Sequence, residues 1–320
     1  MRRLPPLLLA AALAALASEA PAAEGDLVFE AVPDASSVKL GEDVVLRLSA
    51  TNRATQPVDV PSFRFAQDSV SVRVAWGGEV RATVTRLYGT WIEDEGSLRM
   101  RTAPTTARRL APGETMRGTL SFPAVVAGDL SLTTIWGADG DLRRTAKTAA
   151  VEVLPKSGPA KRLVAEVETS SGSFSVELDG AGAFNAVSHF WRLVREGFYD
   201  GLGVHRVEPS LFVQGGDPRG DGTGNAGWTL PAEGANRPLV RGAFGLARGA
   251  HADTASSQWF VVSDPQGRAP ATLLPDATPL GRVIDGQDAV VDALATVETD
   301  SKTSRPKSPV TVKSIRASVR

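Results

Sequence analysis

The 320-residue sequence contains no cysteine and only three histidines. Without cysteine, disulfide frameworks, thiolate zinc sites, iron–sulfur clusters and cysteine nucleophiles are all excluded. His189, His205 and His251 do not pair at the i, i+4 spacing of a helical metal site, so we expect no histidine-rich metal site. The chemistry that remains needs neither a thiolate nor clustered imidazoles.

An excess of either charge is also lacking: 35 basic side chains face 36 acidic ones, for a formal net charge of −1. A chain this close to neutral has no field for holding nucleic acid or an anionic membrane surface. Hydrophobic residues make up 42% and charged residues 22%, which is typical of a globular protein. At about 100–200 residues per domain, the length predicts two folded units.

Long apolar runs are missing as well, and no stretch is long enough to span a bilayer comfortably. The apolar segment 4–17 follows two arginines and precedes the small-residue sequence APA. This order predicts a signal peptide over residues 1–22, cleaved before Ala23; an uncleaved N-terminal anchor is the alternative. Because no cysteine stands at the cut, we expect no lipid attachment. The mature protein is expected to be soluble and either periplasmic or secreted.

Residues 27–154 show the period-two alternation of half-buried antiparallel strands. Val70, Val72 and Val74, for example, alternate with polar or small residues, and turn sequences separate the runs. The pattern predicts an immunoglobulin-like β-sandwich, with a barrel as the alternative. Trp76 and Trp136 fall on apolar strand faces and are expected in its core. We find no pattern of catalytic residues in the sequence of this domain.

Residues 155–162 are polar and proline-containing and predict a linker. Beyond it, over 163–318, short strands accompany two helical patterns. Apolar residues at helical spacing predict an amphipathic helix over 187–194 that stops at Gly197, and a second helix over 287–296. Many strands with two helices favour a β-barrel capped by helices.

The densest stretch of candidate functional residues is 204–217. Alternation from 204 through 214 predicts one strand, with Arg206 and Gln214 on the same face. By spacing alone, an arginine interleaved with Phe212 is more typical of a structural salt bridge than of a functional group. Asp217, Asp221 and Asp253 miss the spacing of a calcium loop and are expected to be polar surface residues; we expect no metal site.

Seven short motifs occur after residue 196 in one fixed order, and they resemble those of cyclophilin-type peptidyl-prolyl isomerases. They are GFYDG at 197–201, HRV at 205–207, QGGD at 214–217, GDGTG at 220–224, LAR at 246–248, SQWF at 257–260 and GRV at 281–283. The resemblance covers about 163–318, and it implies an eight-stranded β-barrel closed by two helices.

The resemblance also implies roles for individual residues. Arg206 matches the catalytic arginine, and Gln214 matches the glutamine that holds the substrate backbone. Phe260 matches the aromatic floor of the proline pocket. Phe212 and Leu211 stand where the family has the methionine and the phenylalanine of that pocket.

Further residues are assigned to the substrate groove by the same resemblance. Gly249 matches the position whose backbone pairs with the bound peptide, and Gln258 lines the adjoining groove. His205 is expected to pack or hydrogen-bond beside the groove rather than to act as a base. Leu273 or Leu274 is expected to supply the leucine of the pocket.

The implied reaction is rotation about an X-Pro bond, which needs no nucleophile, proton relay or cofactor. The expected partners are proline-containing segments of unfolded or flexible proteins, with no nucleic acid and no membrane beyond export. We expect the protein to act as a monomer.

Two departures from the family pattern bear on activity. Leu211 replaces a phenylalanine, and the segment before Gly281 lacks the family's histidine and tryptophan. These changes predict weak cyclosporin affinity and reduced turnover. They leave two alternatives to an efficient isomerase: a weakly catalytic or non-catalytic peptide-binding chaperone module, and an adaptor whose sandwich docks a partner.

Overall fold

The computed structural model describes residues 26–61, 70–85, 107–137, 144–155, 160–234, 237–249, 253–264 and 277–320. The predicted signal peptide lies outside these residues, as does the middle of the predicted linker. Both, together with the domain boundaries, stay predictions.

The N-terminal half is built from antiparallel strands with alternating burial, as the sequence predicts. Its strands are β1 (Leu27–Pro33), β2 (Ser37–Lys39), β3 (Asp43–Asn52), β4 (Val58–Pro61), β5 (Val70–Trp76), β6 (Glu79–Thr85), β7 (Ala107–Leu110), β8 (Thr115–Pro123), β9 (Gly128–Trp136), β10 (Arg144–Thr145) and β11 (Ala149–Leu154). One sheet has the order β1-β3-β8 and the other β2-β11-β9-β5-β6, with β10 on β9 and a separate β4-β7 pair.

These two sheets pack together as a sandwich. Phe29 of β1 contacts Trp136 of β9 with ring centroids 5.4 Å apart, and Trp136 is fully buried. Strand β2 pairs in parallel with β11, which itself pairs antiparallel with β9. Two such facing sheets, with the alternating residues of each directed inward, confirm the predicted β-sandwich.

The C-terminal half forms one curled eight-stranded sheet. Its elements are β12 (Leu163–Thr169), β13 (Gly172–Leu178), α1 (Phe184–Arg195), β14 (Val204–Glu208), β15 (Phe212–Gly215), β16 (Ala243–Leu246), β17 (Trp259–Val262), β18 (Thr278–Asp285), a π-helical turn (Gln287–Asp292) and β19 (Val312–Val319). The strand order is β14-β15-β17-β16-β18-β13-β12-β19. A bridge between Gly203 and Thr311 joins the two ends of the sheet, which confirms the barrel-like architecture.

Helix α1 ends where the sequence predicts. Gly197 adopts a left-handed φ of 70°, its N–H bonds to Val194 O, and Phe198 N–H bonds to Leu193 O. This is a Schellman motif, which glycine favours because it has no Cβ. The second predicted helix is present as the π-helical turn Gln287–Asp292, which continues helically to Leu294.

The two halves are in direct contact through helix α1. Phe184 packs against Trp76 and Phe122 of the sandwich, with centroid separations of 5.5 and 6.1 Å. The indole of Trp191 donates a hydrogen bond to Gly41 O at 3.0 Å. The hydrophobic core is therefore continuous between the sandwich and the curled sheet.

Among the described residues, no helix has both the length and the apolar character needed to cross a membrane.

Candidate active site

A tight hairpin places the first of the candidate residues. Strands β14 and β15 are antiparallel neighbours, and Leu211 N–H bonds to Glu208 O across the turn at 2.9 Å. Pro209 and Ser210 occupy the corners, and Ser210 has a φ of 58°. Proline followed by a positive φ is the pattern of a type II turn. The single strand predicted over 204–214 is therefore wrong, because the chain reverses direction at Pro209.

Arg206, Gln214 and Phe260 lie directly opposite one another on three neighbouring strands. Arg206 of β14 pairs with Gln214 of β15, and Gln214 pairs with Phe260 of β17. Residues directly opposite in a sheet direct their side chains to the same face. Arg206 and Gln214 thus share a surface, as predicted, but they do so by pairing across the hairpin rather than along one strand.

Three side chains hold the guanidinium of Arg206. Glu208 Oε1 lies 2.9 Å from both Nε and Nη2. The Phe212 ring lies beneath, with Cζ 4.9 Å from the ring centroid, which is within cation–π range. Nη1 is 3.5 Å from Oε1 of Gln214, at the limit of a hydrogen bond.

Amide side chains extend this network across the site. Gln214 Nε2 donates to Gln258 Oε1 at 2.8 Å. Gln258 Nε2 in turn donates to the carbonyl oxygens of Gly222 and Gly224, at 3.0 and 2.9 Å. The arginine is therefore connected through two amides to the loop that carries the glycine-rich motif.

An apolar cluster, separate from the main core, lies beside the arginine. Its buried members are Phe212, Ala243, Ala247, Phe260, Val262 and Ala277, and Leu211 and Leu239 pack against them with part of their surface exposed. Gly245 faces Phe260 across the sheet, where a Cβ would stand 2.8 Å from the ring and 2.6 Å from Thr278 O. Glycine at 245 therefore allows the close approach of the Phe260 ring and of Thr278 O.

A polar groove with a cavity volume of about 710 Å³ adjoins this cluster at Ala247. Predicted site residues that line it are His205, Arg206, Gln214, Gly249 and Gln258. Gly249 N–H donates to Thr254 Oγ1 at 2.8 Å. The structure thus brings the polar candidates to one groove, and the aromatic candidates Phe212 and Phe260 to the apolar cluster beside it. Leu273 and Leu274 lie outside the described residues.

Asp217 differs from the expectation of a polar surface residue. It is 1% exposed and accepts hydrogen bonds from the backbone N–H groups of Arg219, Asp221 and Gly222. These bonds keep the pKa of Asp217 below its usual value against the opposing effect of burial. The residue is a buried anchor for the glycine-rich loop of the groove.

His205 is buried and lines the groove. Burial lowers its pKa below the ordinary value, although the charge of Asp217 acts in the opposite direction. A histidine kept neutral in this way suits a packing role. In the described part of the chain, no group of three or more acidic or histidine side chains is arranged to hold a metal ion.

Glu208 has no role among the residues that the sequence assigns to the site, although it lies on the predicted face. The signal was available, because Glu208 stands two residues after Arg206 on a strand and so shares its face. What the sequence did not reveal is that its carboxylate reaches the guanidinium.

The curled β-sheet thus presents an arginine, two amides and an apolar cluster beside one groove. The family model "Cyclophilin type peptidyl-prolyl cis-trans isomerase/CLD" matches residues 164–317. A peptidyl-prolyl cis-trans isomerase of Synechococcus elongatus is 39% identical over 100 residues, covering 31% of this chain and 68% of that protein.

Other relatives align with a larger or smaller share of this chain. Peptidyl-prolyl cis-trans isomerase B of Bacillus subtilis is 46% identical over 92 residues, covering 28% of this chain and 64% of its own length, which is less than two thirds. A probable peptidyl-prolyl cis-trans isomerase of Brucella suis is 33% identical over 153 residues, covering 44% and 75%.

The chain belongs to the cyclophilin-type peptidyl-prolyl cis-trans isomerase family, and its enzyme class is that of the family. Among solved structures, a cyclophilin-type isomerase of Cryptosporidium parvum aligns with a TM-score of 0.44 and 24% identity, covering 49% of this chain and 98% of that one. A second structure of that protein was determined in the presence of the dipeptide Ala-Pro.

Proposed function

We propose that this protein catalyses rotation about X-Pro bonds in exported proteins and thereby assists their folding. Its substrates are proline-containing segments of unfolded or flexible chains. The observation that carries the proposal is the row of Arg206, Gln214 and Phe260 on three adjacent strands, beside a groove that Arg206 and Gln214 line.

Arg206 supplies the differential binding that lowers the barrier. An amide resists rotation by about 18–20 kcal/mol, because the nitrogen lone pair is delocalised into the carbonyl. In the twisted state the prolyl nitrogen becomes pyramidal and regains this lone pair. A guanidinium directed at that nitrogen hydrogen-bonds the twisted state but not the planar ones. Arginine fits because its guanidinium remains protonated and is planar and rigid.

Gln214 and the apolar cluster hold the two sides of the bond. The Gln214 amide can bond to the peptide backbone, since it lies between Arg206 and Gln258 and lines the groove. The proline ring docks on the apolar cluster, whose exposed surface comes from Leu211 and Leu239 above the fully buried Phe212 and Phe260. Apolar contact fixes the ring and excludes water while the other side of the bond rotates.

The test is the exchange rate of an X-Pro peptide with wild type, Arg206→Ala and a matched control, Arg282→Ala. Arg282 is an exposed arginine that pairs with Glu177 on β13, away from the groove. One preorganised donor accounts for about 10²–10³ in rate, so Arg206→Ala should lose about that factor and Arg282→Ala almost none. Equal rates for wild type and Arg206→Ala would remove the catalytic proposal. Suppression of client aggregation that survives Arg206→Ala would instead favour the chaperone alternative.

Export is supported by the N-terminal pattern of charge, apolar segment and small residues. The test is fractionation of cells that express the full chain, followed by N-terminal sequencing of the product. We expect an extracytoplasmic protein that begins at Ala23. A cytoplasmic product that retains residues 1–22 would refute export.

A further inference from the structure

The ion pair between Arg206 and Glu208 has a geometry that bears on catalysis. A single carboxylate oxygen of Glu208 accepts the Nε–H at 2.9 Å and lies 2.9 Å from Nη2. It therefore occupies the Nε edge of the guanidinium and leaves the Nη1 side facing Gln214. The face of the guanidinium is covered by the Phe212 ring.

We propose that Glu208 is a positioning residue, which fixes the Arg206 guanidinium in the orientation that meets the prolyl nitrogen. The proposal rests on the proposed isomerase function. Arginine has a long side chain with several rotatable bonds, and ordering it at the moment of reaction would cost entropy. A carboxylate that already orders it removes that cost from the catalysed step.

The position of Glu208 in the fold suits this role. It is the last residue of β14, and its carbonyl accepts the Leu211 N–H that closes the turn, so its backbone is fixed. The side chains of Arg206 and Glu208 are 32% and 21% exposed. A pair with this much burial is screened less by solvent than a fully exposed pair, and its geometry is better maintained.

The main alternative is that Glu208 slows the reaction. A carboxylate bonded to the guanidinium also competes for its N–H groups and offsets its charge, which would make Glu208 a brake on the reaction. The geometry favours positioning, because Glu208 takes the edge formed by Nε and Nη2 and leaves Nη1 on the side of Gln214.

The experiment is a double-mutant cycle in the full-length protein with Arg206→Ala, Glu208→Ala, the double variant and the near-isosteric Glu208→Gln. The matched control is Glu177→Gln, whose carboxylate is 25% exposed and lies within 3.6 Å of two arginines away from the groove. The X-Pro exchange rate is resolved into kcat and KM, and folding is checked by thermal unfolding.

We expect Glu208→Ala to lower kcat by about tenfold, the size of one lost charge-assisted hydrogen bond, with KM changed less than about twofold. Glu208→Gln should fall between wild type and Glu208→Ala, because one acceptor oxygen is kept. In the Arg206→Ala background, the Glu208 substitution should have no further effect, since Glu208 acts only through the arginine. Glu177→Gln should resemble wild type.

Some results would overturn the proposal alone. These are an unchanged or raised kcat in folded Glu208→Gln and Glu208→Ala, or additive losses in the double variant. If Arg206→Ala itself keeps the wild-type rate, the proposed function fails instead, so the two failures are distinguishable.

Discussion

At the scale of single residues, the orientation of the Arg206 side chain is set by its neighbours in the site. Arg206 is held on one edge by Glu208, on its face by Phe212 and on the far side by Gln214. This differs from a solvated arginine, which has no preferred orientation. The salt bridge expected from the spacing is present between Arg206 and Glu208, and we propose that the same bridge orients the arginine for catalysis.

His189 is a buried residue whose ionisation links stability to pH. It has no exposed surface, its Nδ1 accepts a bond from the Trp228 indole at 3.3 Å, and burial with the nearby charge of Arg192 lowers its pKa to about 3. The unfolded chain binds a proton near the ordinary histidine value of about 6.5. Between these two values the unfolded state holds more protons, so stability is lost as the pH falls.

We expect the wild-type free energy of unfolding to fall by about 1.4 kcal/mol for each pH unit below 6.5 through His189 alone. His189→Gln should show a shallower slope between pH 6.5 and 5, because the titrating group is gone. Urea unfolding at several pH values measures this. The buried His205 also has a lowered pKa and leaves a residual slope in the variant. Parallel slopes for wild type and variant would contradict the assignment.

At the scale of elements, alternation and helical spacing in the sequence were sufficient for the sandwich strands, helix α1 and the overall class of fold. The exception was the hairpin 204–215, where apolar alternation runs through the turn and hides it. Pro209 was the available signal, but the residue after it is Ser210 rather than the glycine usual at a positive φ. The family resemblance indicated which residues belong to the site. Their alignment across three neighbouring strands depends on strand pairing, which no local sequence pattern encodes.

The free backbone N–H groups at the N-terminus of helix α1 are hydrogen-bonded by a residue from another segment. Its own N-cap, Ala183, offers no side-chain bond, and the first turn has no acidic residue. The carboxylate of Glu233 instead accepts the N–H groups of Asn185 and Ala186, and the Asn185 amide at 2.7 Å. A negative charge there accepts hydrogen bonds from the free N–H groups and interacts favourably with the positive end of the helix dipole.

We therefore expect Glu233→Ala to lower the free energy of unfolding by about 1–2 kcal/mol, the usual cost of a lost N-cap. Chemical denaturation measures the loss, and Glu298→Ala serves as the control because Glu298 is an exposed carboxylate that pairs with Lys307. Equal stabilities for the two variants would show that Glu233 does not cap the helix.

At the scale of the whole molecule, helix α1 joins the two halves. The amphipathic pattern predicts one face in solvent, yet residues from Phe184 to Val194 are all buried. The polar side of the helix meets the sandwich instead: Ser188 Oγ donates to Pro123 O at 3.2 Å, and Arg195 pairs with Asp43 at 2.7 Å. Sequence periodicity distinguishes polar from apolar faces, but it does not tell whether a polar face contacts water or another domain.

Because the hydrophobic core is continuous between the two halves, we expect the full-length protein to unfold in one cooperative transition. Trp191 is 3% exposed and bonds to Gly41 O, so Trp191→Ala should cost about 3–5 kcal/mol. Calorimetry should show the single transition shifted to lower temperature, whereas Val240→Ala, at a mostly exposed valine, should leave it in place. Two separate transitions in wild type, with neither moved by Trp191→Ala, would show that the halves are independent.

The central claim is that Arg206 acts on the twisted state rather than on the bound ground state. The most direct measurement is NMR exchange of an X-Pro peptide bound at saturation to wild type and to Arg206→Ala, with the Kd of each complex measured in parallel. We expect an on-enzyme exchange rate lower by about 10²–10³ in the variant, with Kd changed by only a few fold. A rate that stays at the wild-type value, or a loss wholly explained by weaker peptide binding, would contradict it.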